Sequence, residues 1–200
     1  MSIFKEVKET DPLRKRTPPG QRLTTGFPVL TYGQTPKIAT EKWKFKINGL
    51  VDEQEEFDWK RFMELPQVKI KADFHCVTTW SRLDNLWEGV ATKELIKLIK
   101  IKPNAKFVMA HCYGGYTTNI PLEVFLDDDC LLAHHWEGMM LPVEHGGPCR
   151  LIIPKKYAWK SAKWINGVEF LAQDARGFWE SYGYHNDADP WKEERYSSQE

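Results

Sequence analysis

The chain has 200 residues, of which 42% are hydrophobic and 28% are charged, a composition typical of a folded globular protein rather than a disordered one. Its 28 basic and 28 acidic residues give a formal net charge of zero, which gives no reason to expect a nucleic acid or an anionic membrane as a partner. No stretch approaches the roughly 20 apolar residues of a membrane span, and residues 1–20 lack the apolar run of a signal peptide. We therefore expect a cytoplasmic protein.

The N-terminal part of the chain is rich in proline, which predicts an extended and irregular segment over the first 40 residues. We assign residues 1–17 to an N-terminal extension and residues 18–200 to one domain. Alternating apolar residues then predict a strand over 43–51. Asp58 is the expected N-cap of a short helix that ends near Leu65.

The remaining elements mix strands and helices without strict alternation. Apolar alternation over 68–74 predicts a strand that leads into Cys76, and later strands are expected over 105–110, 130–136, 150–154 and 168–172. Helices are expected to begin at Thr92, ending before Pro103, and at Pro121. The aromatic tail from Gly177 is expected to pack on the domain. This order predicts a single α+β domain with mixed sheets.

Cys76 is the first candidate for chemistry, because a strand end holds a side chain rigidly beside an open space. A thiolate is a ligand for soft or redox-active metals. The simpler interpretation is a small buried hydrophobic residue. The stretch that follows is expected to be a loop with small hydroxyl residues, walled by two tryptophans: Thr78, Thr79, Ser81, Trp80 and Trp87.

A second candidate lies in residues 145–164, where two glycines precede five cations: Arg150, Lys155, Lys156, Lys160 and Lys163. Exposed backbone N–H groups, a guanidinium and ammonium groups are suited to binding a phosphate. A solvated basic surface without a ligand is equally consistent with the composition.

Both stretches resemble the sulfite oxidase family of molybdopterin enzymes. Phe-His-Cys-Val-Thr-Thr-Trp-Ser around Cys76 resembles the segment with the molybdenum-binding cysteine. His-Gly-Gly-Pro-Cys-Arg from His145, followed by Tyr-Ala-Trp-Lys-Ser-Ala-Lys-Trp up to Trp164, resembles the pterin-phosphate segment. Residues 26–33, residues 115–123 and the tail from Gly177 are also similar to small members, although Thr31 replaces a frequent histidine.

The resemblance implies the fold, cofactor and site of that family. The expected fold is a molybdopterin-binding domain, and the expected cofactor is molybdenum (or tungsten) molybdopterin. The expected activity is oxo transfer on a small sulfite-like or sulfoxide-like substrate. Cys76 would be the metal ligand. His75, Arg82 and Tyr32 would border the catalytic pocket, and seven residues would bind the cofactor: Thr78, Thr117, Asn119, His145, Arg150, Ser161 and Lys163. Without a haem domain or a dimerisation domain, we expect a separate electron-transfer partner and a monomer.

Other interpretations remain open. The chain could bind a pterin cofactor without turnover. A zinc site built from His75, Cys76, His111 and Cys112 is the weaker alternative, because their spacing fits no compact zinc module. His134 and His135 are adjacent on a predicted strand, so we expect their side chains to point to opposite faces. Residues 127–129 read as a solvated turn rather than a calcium loop.

Overall fold

The computed structural model describes residues 4–200, and within this range the strands form two sheets with few helices. The first sheet contains seven strands: β1 (Phe4–Lys5), β2 (Arg22–Thr24), β5 (Gln67–Cys76), β6 (Trp80–Ala91), β9 (Leu131–Trp136), β10 (Met139–Met140) and β11 (Arg150–Ile152). The second contains five: β3 (Lys44–Gly49), β4 (Glu55–Asp58), β7 (Phe107–Cys112), β8 (Thr117–Pro121) and β12 (Ile165–Leu171). The α-helices are α1 (Trp59–Met63), α2 (Thr92–Ile96), α3 (Leu122–Phe125) and α4 (Phe178–Ser181).

Both sheets are mixed. In the first, the order is β1-β2-β6-β9-β10, with β5 paired to β6 and β11 paired to β9. In the second, the order is β4-β3-β12-β7-β8. The β2–β6 and β3–β12 pairs are parallel, and the other pairs are antiparallel. The predicted single α+β domain with mixed sheets is confirmed.

Two hydrophobic cores lie on opposite faces of the first sheet. The larger one joins Leu132 and Leu151 of the first sheet to Val108 and Phe170 of the second. Their neighbours in β9 and β11 belong to the smaller core, which also contains Phe74, Cys76, Trp80 and Trp87. Adjacent residues of a strand point to opposite faces, so one strand serves both cores. The smaller core places Cys76 among aromatic rings.

Three predicted elements differ from the structure. The loop expected after Cys76 is a tight turn over residues 77–79, followed by the 12-residue strand β6. Helix α2 ends at Ile96 rather than near Pro103, and the Thr92 side chain donates to the Phe125 carbonyl instead of capping the helix. The proline-rich beginning contains β1, β2 and a 3₁₀ helix at Pro12–Arg16.

The N-terminal extension packs on the domain through Arg16, whose Nη2 lies 2.6 Å from Asp73 Oδ1 and 2.9 Å from Asp84 Oδ1. The first three residues of the predicted extension lie outside the described residues. Its boundary at residue 17 stays a prediction. None of the helices within residues 4–200 has the length and apolar character that a membrane crossing needs.

The expectation for His134 and His135 is wrong, because their Nδ1 atoms lie 2.5 Å apart. Glu88 pairs with His135 whereas Gly89 pairs with Ala133, so His134 is the extra residue of a β-bulge. A bulge interrupts the alternation of side chains along a strand. The two imidazoles therefore share one side of the sheet.

Candidate functional site

A cavity of about 660 Å³ opens where the end of β5 meets four other parts of the chain. These are an extended segment over residues 27–34, the β7–β8 connection, residues 145–164 and helix α4. The walls combine aromatic rings with the Cys76 thiol and the side chains of His145, Arg150 and Lys163. The volume lies within the range of small-molecule and cofactor sites.

Cys76 is the last residue of β5, and its side chain borders the cavity while only 6% of the residue is exposed. Its Sγ lies 3.2 Å from Thr78 Oγ1 in the turn that follows. Burial raises the pKa of the Cys76 thiol, and the Thr78 hydroxyl lowers it by a smaller amount. A metal ion would displace the thiol proton, because the thiolate is the form that binds metals.

The five cations of residues 145–164 separate into two classes. Three form ion pairs with carboxylates: Lys155 Nζ–Asp127 Oδ2 at 2.8 Å, Lys156 Nζ–Asp187 Oδ1 at 2.5 Å and Lys160 Nζ–Glu180 Oε1 at 2.6 Å. Within the described chain, Arg150 and Lys163 have no carboxylate partner, and both line the cavity. The positive charge that remains free is therefore concentrated at the cavity.

Arg150 begins β11 and is almost completely buried. Its Nη1 donates to the His145 carbonyl at 2.7 Å and its Nη2 to the Ser161 carbonyl at 2.7 Å, while Nε has no hydrogen-bond partner among residues 4–200. Burial lowers the pKa of the guanidinium to about 9. A buried cation without an anion is costly, which indicates that an anionic ligand belongs beside it.

Within residues 4–200, the hydrogen-bond partners of Lys163 are all uncharged oxygens. Its Nζ donates to the Leu30 carbonyl at 2.8 Å, to Thr31 Oγ1 at 2.7 Å and to the Glu144 carbonyl at 3.0 Å. Burial, followed by the charge of Arg150, lowers the pKa of Lys163 to about 7. The ammonium ties residues 27–34 to the basic segment and can turn toward an anion.

His145 and Gly146 complete this side of the cavity. The His145 ring stacks on Phe27 with centroids 4.2 Å apart, and burial lowers its pKa to about 4, so the imidazole is neutral at pH 7. Gly146 has a φ of +110°, and a Cβ there would lie 3.0 Å from the Cβ atoms of Arg150 and Lys163. Glycine avoids the strain of this φ and lets the backbone pass closely between the two cations.

The structure brings together seven of the eleven residues predicted for the site. The seven that line the cavity are Tyr32, Cys76, Thr78, His145, Arg150, Ser161 and Lys163. Tyr32 is 69% exposed and packs against the Phe178 ring, with centroids 5.1 Å apart, so it lies at the rim. The Ser161 hydroxyl accepts a hydrogen bond from the Ile153 amide at 2.9 Å.

The other four do not line the cavity. His75 precedes Cys76 in the strand, and its Nδ1 lies 2.8 Å from Ser81 Oγ. Arg82 pairs with Glu137 at 3.0 Å. Thr117 and Asn119 belong to β8, and the Asn119 Oδ1 accepts from Lys160 Nζ at 2.7 Å. His75, Arg82 and Asn119 thus have partners elsewhere, and the structure places none of the four at the cavity.

Aromatic residues that the sequence did not single out form much of the remaining wall. They include Tyr116, Trp159 and Tyr184. Tyr116 Oη donates to the Trp159 carbonyl at 2.7 Å, so these residues also brace one another. The only sequence signal for them was their position within or next to the motifs already described.

The proposed zinc ligands are not assembled. His111 Nε2 lies 3.1 Å from Glu169 Oε2 in the second sheet, and Cys112 is buried in the larger core. Among residues 4–200, the group of three or more closely spaced candidate ligands comprises Asp127, Asp129 and Cys130. Asp127 is already paired with Lys155. The zinc alternative therefore has no site in the described structure.

Comparison with known proteins agrees with the chemistry of the cavity. Residues 32–179 match the family model described as an oxidoreductase molybdopterin binding domain. The chain is 42% identical over 183 residues to the uncharacterized oxidoreductase YuiH of Bacillus subtilis (strain 168), covering 91% of this chain and 92% of that protein.

Two more distant similarities extend this result. The chain is 28% identical over 166 residues to the protein-methionine-sulfoxide reductase catalytic subunit MsrP of Campylobacter jejuni, covering 72% of this chain and 54% of that protein. The crystal structure of the sulfane dehydrogenase SoxCD from Paracoccus pantotrophus has a TM-score of 0.67 at 20% identity, covering 78% of this chain and 46% of that one. The chain thus spans about half the length of these two proteins, and the SoxCD likeness concerns the fold.

Proposed function

The chain belongs to the molybdopterin-binding oxidoreductases of the sulfite oxidase family, and from this premise we propose that it carries molybdenum on the pterin and transfers oxygen to or from a small substrate. A sulfoxide is the substrate class that the similarity to MsrP supports. We also propose that electrons are exchanged with a separate partner, in line with the name of MsrP as a catalytic subunit. Tungsten in place of molybdenum, a cytoplasmic location and a monomeric state stay predictions.

One observation carries the proposal: a thiol and two cations that have no carboxylate partner in the described part of the chain share one cavity. The pterin of this family ends in a phosphate, and the Arg150 Nε without a partner fits an anion. Gly146 lets the backbone pass close to the Cβ atoms of Arg150 and Lys163, so that both side chains start from the same place in the cavity wall. The residues present therefore fit a metal-bearing pterin phosphate.

Each wall of the cavity has a role in this proposal. Cys76 would hold the metal through its thiolate, and Arg150 and Lys163 would hold the phosphate end with charge-assisted hydrogen bonds. The bound group would supply the oxo transfer and the change of oxidation state. Trp159 and Tyr184 would limit the access of water to the thiol, since both line the cavity. Tyr32 would lie where the substrate enters.

The proton balance of the site concerns two atoms of the protein. Cys76 Sγ would lose its proton on metal binding, since burial keeps the free thiol protonated. Lys163 Nζ, with a pKa of about 7, would gain a proton when a phosphate approaches, because an opposite charge favours the charged form. On cofactor binding, the thiol end of the cavity would therefore lose a proton and the Lys163 end would gain one.

Metal and pterin analysis of protein purified from its native host, combined with an oxo-transfer assay, tests the proposal. We expect molybdenum or tungsten, one pterin per chain and turnover of a sulfoxide or of sulfite. Pterin without turnover would indicate a cofactor-binding protein instead. Protein from the native host that contains neither pterin nor molybdenum nor tungsten would refute the proposal. The Cys76→Ser variant is the control, because it removes the soft ligand while keeping the volume similar.

A further inference from the structure

The turn that carries Cys76 is held by two side chains from distant parts of the sequence. The Cys76 carbonyl accepts a hydrogen bond from Gln21 Nε2 at 3.0 Å. The Val77 carbonyl accepts one from Arg195 Nη1 at 2.5 Å. Gln21 lies near the beginning of the chain and Arg195 near its end. The two ends of the chain thus meet at the residue proposed to bind the metal.

Backbone groups hold the peptide units on either side. The Ala158 amide donates to the His75 carbonyl at 2.7 Å, and the Arg22 amide donates to the Thr79 carbonyl at 2.9 Å. The carbonyls of residues 75, 76, 77 and 79 therefore all have donors from outside the β5–β6 hairpin. A hairpin turn does not need such partners, because turn carbonyls normally face solvent.

The geometry of these bonds bears directly on the Cys76 side chain. The carbonyls of His75 and Cys76 belong to the two peptide planes that flank the Cys76 Cα. Fixing both planes fixes φ and ψ of that residue, and with them the direction of its Cα–Cβ bond. The Val77 carbonyl belongs to the next plane, which sets the position of Thr78. The hydroxyl of Thr78 lies 3.2 Å from Cys76 Sγ.

The two side-chain donors are themselves buried and supported. Gln21 is buried, and the Arg195 side chain is mostly shielded from solvent. The guanidinium carbon of Arg195 lies 4.9 Å from the centroid of the Tyr157 ring, and Tyr157 is completely buried. Glu193 Oε1 lies 3.6 Å from Arg195 Nη2. Arg195 is thus a fixed part of the structure rather than a mobile surface side chain.

We propose that Arg195 and Gln21 are positioning residues that hold the turn over residues 76–79 so that the Cys76 thiol is presented to the cavity as a metal ligand. This inference rests on the proposed function, because it takes Cys76 as that ligand. Neither residue is among those that line the cavity, and each holds the backbone of the turn through a hydrogen bond to one of its carbonyls. A ligand held in advance in its binding direction costs less to bind than one that must be ordered.

Three substitutions and one control test the inference. Arg195→Met and Gln21→Met each remove one donor while keeping an unbranched side chain. Arg195→Lys keeps the charge and one donor, so it should restore part of the effect. Lys192→Met is the control, because Lys192 lies in the same tail, is mostly exposed and forms long ion pairs with Asp189 and Glu194, both at 3.7 Å. All proteins are compared at a temperature at which each remains folded.

Two measurements are made on each protein. The first is amide hydrogen exchange of the peptide spanning residues 74–80 in cofactor-free protein, since the Thr79 amide donates to the Cys76 carbonyl. A charged hydrogen bond corresponds to about a tenfold or larger change in an opening equilibrium, so exchange should be at least about tenfold faster in Arg195→Met and less so in Gln21→Met. The second is the molybdenum and pterin content per chain, with the thiolate-to-metal absorption band of the loaded protein.

The expected result is faster exchange together with lower metal content and a shifted absorption band in both methionine variants, partial recovery in Arg195→Lys and no change in Lys192→Met. Unchanged exchange, or faster exchange with normal metal content and an unchanged band, would overturn the positioning role. If Arg195→Met does not fold, the same comparison between Arg195→Lys and wild type decides the matter. Wild-type protein from the native host without pterin and metal would instead overturn the proposed function.

Discussion

Arg150→Met is the most informative substitution, because two large effects oppose one another in the cofactor-free protein. In the folded chain burial lowers the pKa of the guanidinium from its ordinary value to about 9. At about 1.4 kcal/mol per tenfold change, this costs roughly 5 kcal/mol of folding free energy at pH 7. The cost is present below both pKa values, since the cation is then buried in the folded state. Removing the cation relieves it.

The same substitution removes the hydrogen bonds to the His145 and Ser161 carbonyls. Bonds from a charged donor contribute about 1.5–3 kcal/mol each, so roughly 3–6 kcal/mol is lost. The two effects nearly cancel, and we expect the free energy of unfolding of cofactor-free Arg150→Met to lie within about 2 kcal/mol of wild type. Pterin retention should nevertheless fall by about tenfold or more, because a charge-assisted bond to the phosphate is lost.

Lys160→Met is the matched control, since Lys160 is also buried in the same segment but is paired with Glu180 at 2.6 Å. Breaking a buried pair typically costs about 3–5 kcal/mol, so this variant should be clearly destabilised without its cofactor. Urea unfolding of the cofactor-free proteins at pH 7 and pterin content per chain are the two assays. If Arg150→Met were destabilised as much as Lys160→Met, or kept normal pterin content, the interpretation of Arg150 as an anion-binding residue would be wrong.

Three further predictions follow from the same site. In the folded protein the pKa of Lys163 is about 7, below its ordinary value. Between about pH 7 and pH 9 the unfolded chain therefore binds more protons at this residue than the folded chain does, so stability should rise with pH. Lys163→Met should reduce this slope when urea unfolding is measured at several pH values. Cys76→Ser should abolish oxo transfer and leave the melting temperature of cofactor-free protein nearly unchanged. Cys130→Ser, in the larger core, should instead lower the melting temperature. Normal turnover of the Cys76 variant with metal still bound would contradict the ligand assignment. Gly146→Ala should lower both stability and pterin content, because its Cβ would crowd the first side-chain carbons of Arg150 and Lys163. Gly138→Ala is also at positive φ but would place its Cβ in open space, so it should cost only the backbone strain of about 1–3 kcal/mol.

The sequence was sufficient for the parts of the fold that depend on local pattern. The Asp58 cap, where Oδ1 accepts from the Arg61 amide at 2.8 Å, and the strand that ends at Cys76 were both predicted. The length of β6 was not, because its polar residues resemble a loop. Their partners are in other strands of the sheet, and a single sequence does not show which strands pair.

Three of the four predicted site residues that do not line the cavity show two different reasons. His75 and Cys76 are neighbours in one strand, and a period of two sends their side chains to opposite faces. That rule was available from the sequence and would have removed His75. Arg82 and Asn119 instead have partners that are remote in sequence, Glu137 and Lys160. Only the tertiary structure shows that these side chains are already in use.

The basic segment shows why composition could not separate a binding site from a solvated surface. Its five cations look alike in the sequence, and their carboxylate partners lie in the α3–β9 connection, in α4 and in the C-terminal tail. Subtracting the paired lysines leaves Arg150 and Lys163, and only these two of the five face the cavity. A buried charge without a partner is energetically costly in a folded protein. Its presence beside a cavity therefore indicates a ligand, which the number of cations alone does not. Arg150→Met and Lys160→Met each remove one positive charge, ten residues apart. For the same reason, Arg150→Met should mainly reduce cofactor retention, whereas Lys160→Met should mainly reduce stability.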